Sequence, residues 1–185
     1  MKNILALFLA TIALFVWNAV SWMALPFHEN SLKSIPDGAL SDNISNVMME
    51  SGVYHYPGMP GEGRTESEVL NLLKEGPRVT LMVYQAGSSD LFNPMDFLMS
   101  FLLNFVICGV LFLLIIRLNV KSMGEVIKWS LILGLLVSLS SDFALMNWFK
   151  FSSIYTLANS MDHLIGFVVA GLVIWMVLKK ELVAE

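Results

Sequence analysis

The run Phe97–Ile116, FLMSFLLNFVICGVLFLLII, contains no charged residue and stops at Arg117. As a helix rising ~1.5 Å per residue it covers the roughly 30 Å hydrocarbon core of a bilayer. Three other stretches share its character. Ile4–Leu25 is uncharged, and Val126–Leu145 carries one late carboxylate, Asp142. Leu164–Leu178 is shorter, but Ser160–His163 extend it as a helix start. Over all 185 residues, 56% are apolar and only 14% charged, against about 25% charge in a soluble domain. Mean hydropathy is +0.69. A single core cannot hide that much apolar surface. The expected fold is membrane all-α: a bundle of four transmembrane helices with a small α/β extracytoplasmic insertion between helices 1 and 2.

The boundaries follow from the same runs. Helix 1 is expected over 1–25, the insertion over 26–92, helix 2 over 93–117 and a cytoplasmic loop over 118–125. Helix 3 then covers 126–147, an outer loop 148–159, helix 4 160–180 and a tail 181–185. A cleaved signal peptide is the alternative for the first run, because Ala19-Val20-Ser21 makes a passable cleavage site after Lys2 and an apolar stretch. Against cleavage, the apolar run is long for such a peptide and continues through Trp22, Met23 and Leu25. A retained helix is therefore expected.

Basic residues near span ends set orientation. With the N-terminus inside, the inner side receives Lys2, Arg117, Lys121, Lys128, Lys179 and Lys180, while the outer loop between helices 3 and 4 has only Lys150. Trp129 and Trp175 sit beside inner lysines, and Trp22 and Trp148 fall at outer ends, as interface anchors do. Both termini are expected to be cytoplasmic. Punctuation marks the helix starts. Asn93-Pro94-Met95-Asp96 supplies a cap, a first-turn proline and an acid at the positive helix end. Ser122-Met123-Gly124-Glu125 has capping-box spacing, and Ser160 with Asp162 does similar work for helix 4.

Residues 26–92 change character. They hold Glu29, Asp37, Asp42, Glu50, Glu62, Glu66, Glu68, Glu75 and Asp90 against four basic residues, with frequent Gly and Pro. Ser41–Ser51 is expected as a short helix, Val53–Tyr56 as a strand, Pro57–Gly63 as a loop and Val79–Gln85 as a second strand. Thr65-Glu66-Ser67-Glu68 is another capping box, opening a helix that Gly76-Pro77 ends. So small a unit buries little surface by itself and is expected to lean on the helix ends or on another protein. The acidic balance keeps it soluble, and no Asp-rich loop of calcium-binding spacing occurs. Alternation puts Tyr54 and Tyr56 on one face and His55, a surface residue, on the other.

Polar residues within the spans are where a function could sit. Asp96, Ser100, Asn104 and Cys108 recur every four residues along helix 2, as do Ser130, Gly134, Ser138 and Asp142 along helix 3. Helix 4 has Asp162, Gly166 and Ala170 with His163 beside them, and helix 1 has Asn18, Ser21 and, just past its end, His28. The small-residue stripes of antiparallel helices 3 and 4 are expected to meet, bringing Asp142 level with Asp162 and His163. Structurally, Asp96 and Asp162 need no more than their first-turn positions, each favoured by roughly 0.3–1 kcal/mol. Asp142 has no such explanation. The functional alternative is a polar pocket in the outer half of the bundle, with Asp96, Asn104, Asp142, Asp162 and His163 as ligand-binding candidates.

If a metal bound, His28, Asp142, Asp162 and His163 would be the ligands to test, although no HxxxH or HExxH occurs among only three histidines. The single cysteine, Cys108, excludes an internal disulfide and the paired thiols of a four-helix thiol oxidase. No two histidines lie within spans to ligate haem, no phosphate-binding glycine loop occurs, and a net charge of −4 gives nothing for nucleic acid. A transporter is disfavoured, since no charged relay leads inward from Asp142.

At Trp17–His28, WNAVSWMALPFH, and again at Asn147–Gly171, the chain resembles small bacterial four-helix membrane proteins that have no assigned activity. The resemblance implies a bacterial inner membrane and brings no catalytic residues. The leading expectation is a non-enzymatic accessory or interaction component of a membrane assembly. Its partners would be the lipid bilayer, a protein met through residues 26–92, and a second copy of the chain. The alternative is an ion- or small-ligand-binding protein, enzyme or sensor, that uses the polar pocket. No cofactor is implied.

Overall fold

Four segments of the computed structural model are long and apolar enough to cross a membrane: Lys2–Ala24, Pro94–Arg117, Met123–Phe149 and Ser153–Val183. The structure describes residues 1–35, 44, 47, 48, 50–88, 90 and 92–184. The chain divides into two compact units, Met1–Leu32 with Leu91–Glu185, and Lys33–Asp90.

In the first unit, α1 (Lys2–Ala24) is followed by the short α2 (Pro26–Glu29). The later part of this unit forms α4 (Pro94–Arg117), α5 (Met123–Ser140), α6 (Asp142–Phe149) and α7 (Ser153–Ala184). The second unit contributes β1 (Gly52–Tyr56), α3 (Glu66–Glu75) and β2 (Val79–Tyr84). The α7 helix is the centre of the bundle, with its broadest contacts to α5 and α1, while α4 lies mainly on α1. Leu14, Leu111, Ile115, Ile174 and Leu178 form its core. Large apolar side chains such as Phe8, Leu103, Val106, Leu113 and Leu136 point outward and are exposed. A fold of four apolar helices with apolar outer faces fits a membrane protein.

Local chemistry fixes the turns. Asn93 Oδ1 accepts from the Met95 N–H at 3.1 Å, and Pro94 opens α4. At the other end Asn119, with φ 51°, takes the left-handed position that usually needs glycine. The Val120 N–H then donates to the Ile115 carbonyl at 3.2 Å and the Asn119 N–H to that of Ile116 at 3.1 Å, closing the helix with Val120 in the core. Ser122 caps α5 by accepting from the Glu125 N–H at 3.2 Å. The return bond departs from the expected box, because Glu125 accepts from the Lys121 N–H instead, at 2.9 Å.

Two boundaries differ from the sequence reading. The fourth long helix begins at Ser153, not at residue 160, because the Ser152 hydroxyl accepts from the Tyr155 N–H at 3.2 Å. Lys150, with φ 61°, makes the turn before it. The third apolar segment is not one helix but two, interrupted at Ser141. Here three serines compete with the helix ladder. Ser138 Oγ donates to the Gly134 carbonyl at 2.9 Å, Ser140 Oγ to that of Leu136 at 2.8 Å, and Ser141 Oγ to that of Val137 at 2.8 Å. Such back-bonding bends helices.

The expected meeting of stripes is half right. A Cβ on Gly134 would lie 3.0 Å from the His163 carbonyl oxygen and 3.0 Å from Leu164 Cα, so this glycine does let α5 approach the α7 backbone. Gly166, however, faces α1: a Cβ there would lie 2.8 Å from Leu14 Cδ1 and 3.1 Å from Trp17 Cδ1. Gly171, one face away, meets Val126 and Ser130 of α5. The α7 helix is flanked by two helices, so its small residues divide between them.

In the second unit β1 and β2 pair antiparallel, with Val53 opposite Val83 and Tyr54 opposite Met82, and a register shift between Tyr54 and Tyr56. The capping box at Thr65 and Glu68 opens α3, and Gly76, with φ 64°, ends it. Tyr54 is half-buried and His55 exposed, but Tyr56, expected on the face of Tyr54, is exposed as well, because the register shifts between Tyr54 and Tyr56. The helix expected over Ser41–Ser51 lies largely outside the described residues.

Candidate functional site

A proline after α1 makes the site. Leu25 is extended, as a residue before proline prefers, and Pro26 starts the single turn that carries His28 back over the end of α1. There the His28 ring stacks on Trp22, with centroids 3.9 Å apart and planes 13° from parallel. Its Nε2 lies 2.7 Å from Asp162 Oδ2, and the Ser21 hydroxyl donates to Asp162 Oδ1. Trp17 Nε1–H donates to the Asp162 carbonyl at 3.3 Å. Ser21, His28 and Asp162 are all buried. His28 Nδ1 is buried without a partner, which fits the tautomer carrying its proton on Nε2, where Asp162 accepts it.

This arrangement reverses the roles expected of two carboxylates. Because α7 starts at Ser153, Asp162 lies in mid-helix, where no helix end stabilises it. It is held by side chains alone. Asp142, by contrast, occupies the first turn of α6 created by the break at Ser141. It is buried, accepts from Ser160 Oγ at 3.3 Å and from Ser141 Oγ at 3.4 Å, and stands 3.4 Å from His163 Nε2. Consecutive residues of α7 thus reach opposite ways, Asp162 to α1 and α2, His163 to α6.

Between α1, α4 and α7 lies a cavity of about 510 Å³, within the roughly 300–1,000 Å³ usual for small-molecule sites. Asn18, Ser100, Asn104, Asn159, Asp162 and His163 line it among apolar and aromatic walls that include Phe15, Trp22, Phe97 and Phe167. Asn104 is 4% exposed. Its Oδ1 accepts from Asn18 Nδ2 at 3.3 Å, while its own Nδ2 is buried with no partner. An unmade bond of that kind costs about 1–3 kcal/mol.

Of the candidates read from sequence, Asn104, Asp162 and His163 line this cavity, and Asp142 touches it only through His163. Asp96 stands apart, exposed in the first turn of α4. The four residues named as a metal set, His28, Asp142, Asp162 and His163, form two separate His–carboxylate pairs. Among the described residues no three His, Cys, Asp or Glu side chains gather to hold a metal ion. Ser21, Trp22, Ser160 and Asn18 complete the site but were not among the candidates. The positions of Asn18 and Ser21 in an apolar run were a visible signal, whereas nothing local points from Trp22 to His28 across Pro26. No family model matches the chain, and no curated protein or solved structure matches it.

Proposed function

We propose that this chain is a four-span protein of a bacterial inner membrane that binds a small amphipathic molecule in its helix bundle. The cavity lined by Asn104, Asp162 and His163 carries this reading, because it sets a few polar groups at one end of an apolar hollow. The same proposal places both termini in the cytoplasm and residues 26–92 outside. Grouping of six basic residues at one end of the spans supports that orientation.

The test is retention of a ligand through purification. The full chain is extracted in mild detergent, and small molecules released by organic solvent are quantified by mass spectrometry. The expected result is one apolar compound near stoichiometric amount, lost in Ser100→Trp, where an indole occupies the hollow. Equal content in a folded Ser100→Trp protein sinks the reading.

An accessory role through residues 26–92 is favoured by a separate observation. Val53 and Val83 are register partners on the sheet, yet they are 64% and 75% exposed. Two neighbouring valines open to solvent suit contact with another protein. Cross-linking in intact membranes should yield a heterologous partner that Val83→Asp loses; recovery of this chain alone at every expression level counts against it.

A further inference from the structure

The uncommitted polar atoms on the cavity wall are acceptors. Asn159 Nδ2 donates to the Tyr155 carbonyl at 2.8 Å and Asn18 Nδ2 to Asn104 Oδ1 at 3.3 Å. The amide oxygens of Asn18 and Asn159 are left without a partner among the described residues, and so is the Ser100 hydroxyl. His163 turns Nε2 to Asp142 at 3.4 Å, so with its proton there the ring offers Nδ1 as a further acceptor. All four residues line the hollow. The unpaired donor at Asn104 Nδ2 is buried out of a ligand's reach.

Charge points the same way. Asp162 lines the cavity, and no Lys or Arg does. Its oxygens meet the Ser21 hydroxyl and His28 Nε2. A positive His28 would bury an Nδ1–H with no acceptor, so the ring is neutral and the carboxylate keeps its charge. A carboxylate so placed in an apolar bundle is relieved by a cation. The rings of Phe15, Trp22, Phe97 and Phe167 attract the same sign. An inorganic ion fits poorly, because among the described residues no three His, Cys, Asp or Glu side chains gather to hold a metal ion. An aminophospholipid would bring its phosphate to a wall without a basic residue. What fits is an ammonium head, whose N–H bonds meet the free acceptors, on an apolar body.

Resting on the binding reading above, we infer that the cavity takes an amphipathic amine in its ammonium form. The head lies among Ser100, Asn159 and His163 in the field of Asp162, and the body lies against apolar walls such as Leu14 and Ile107. Asp162 sets the sign of the charge accepted, and the walls accommodate the rest.

The full chain, in nanodiscs of phosphatidylcholine at neutral pH, is titrated calorimetrically with phenylbutylamine, phenylbutanol and phenylbutyrate, which differ only in the head. Empty nanodiscs supply the blank. The amine binds about ten-fold or more tighter than the alcohol, and the carboxylate binds weakest. Asp162→Asn, of the same shape, brings the amine-to-alcohol ratio down towards one. Because that variant disturbs the bonds to Ser21 and His28, a second measurement uses the native chain. A diazirine-bearing phenylbutylamine labels the cavity wall, located by peptide mass. An alcohol or carboxylate that binds as tightly as the amine, or labelling confined to other surfaces, overturns this inference and leaves the binding reading standing. Loss of amine binding in nanodiscs containing phosphatidylethanolamine makes that lipid the occupant and overturns it as well. If none of the three probes binds, both fall together.

Discussion

His28 and His163 each meet a carboxylate, and the difference in their surroundings decides what each is worth. The His28–Asp162 contact is short, buried and joined by Ser21. Removing one partner leaves the other polar group stranded in a dry setting, at a cost of about 3–5 kcal/mol. The His163–Asp142 contact is 3.4 Å long and the His163 side chain is 34% exposed, so the pair is looser and less enclosed, and the loss should be about 1 kcal/mol or less. Thermal denaturation in one detergent should therefore show a large drop for His28→Ala and a small one for His163→Ala; equal drops would remove the distinction. Glu68 poses a different case, outside the apolar helices. The Thr65 backbone N–H, then the Thr65 hydroxyl, hold its carboxyl below the ordinary value of 4.5. A folded value below the unfolded one means the stabilisation is complete above the unfolded value and lost as pH falls through the folded one. Hydrogen-exchange protection at α3 amides, taken relative to the intrinsic rate at each pH, should fall below about pH 4.5 in the native chain and show little added acid sensitivity in Glu68→Gln. Coincident profiles would deny the carboxylate this part.

The α5–α7 contact depends on a missing side chain. At Gly134 an added Cβ meets backbone, the His163 carbonyl and Leu164 Cα, each at 3.0 Å. Backbone cannot turn aside as a side chain can, so Gly134→Ala must push the helices apart, costing about 1–3 kcal/mol. A Cβ at Gly109 of α4 meets nothing within 4 Å. Gly109→Ala should leave the unfolding midpoint unchanged or raise it, and a midpoint for Gly134→Ala as high as that one would refute the packing account. Much at this level was legible in sequence. Apolar length marked the four long segments, and the Asn93-Pro94 and Thr65–Glu68 signals named true helix starts. The start at Ser153 was not legible, since Ser160 and Asp162 imitate a cap while the real one, Ser152, precedes a run rich in polar residues. The break at Ser141 was equally hidden: serine hydroxyls in apolar segments are common, and only geometry shows three of them bonding backward together. For the site, the four-residue spacing of Asn104 and the closeness of Asp142 to His163 could be read. The fold-back of His28 onto Asp162, separated by 134 residues, could not, because no local pattern records which helix lies beside another.

Orientation is a property of the whole chain, and it rests on charge summed over all four apolar segments rather than on any one contact. Lys2 at the start of α1 pairs with Glu181 near the end of α7 at 2.8 Å. Half-exposed ion pairs contribute about 0–1 kcal/mol, so this one fastens little. Its value lies in showing that the start of α1 and the end of α7 lie side by side, which the proposed even number of crossings would require. Lys121 in the α4–α5 connection, Lys128 in α5 and Lys179 and Lys180 in α7 are the residues that the proposed orientation puts on one basic side, against Lys150 on the other. The single cysteine is buried, and replacing it by alanine gives a background in which introduced thiols report alone. Ser67→Cys and Ser152→Cys should react with a membrane-impermeant maleimide on intact spheroplasts. Lys121→Cys and Lys180→Cys should react only after the membrane is opened. Inversion of the two sets would reverse the orientation but keep the four crossings. Labelling of Ser67→Cys and Lys180→Cys from one side alone would demand an odd change in the number of crossings, and the four-span proposal would fail with it.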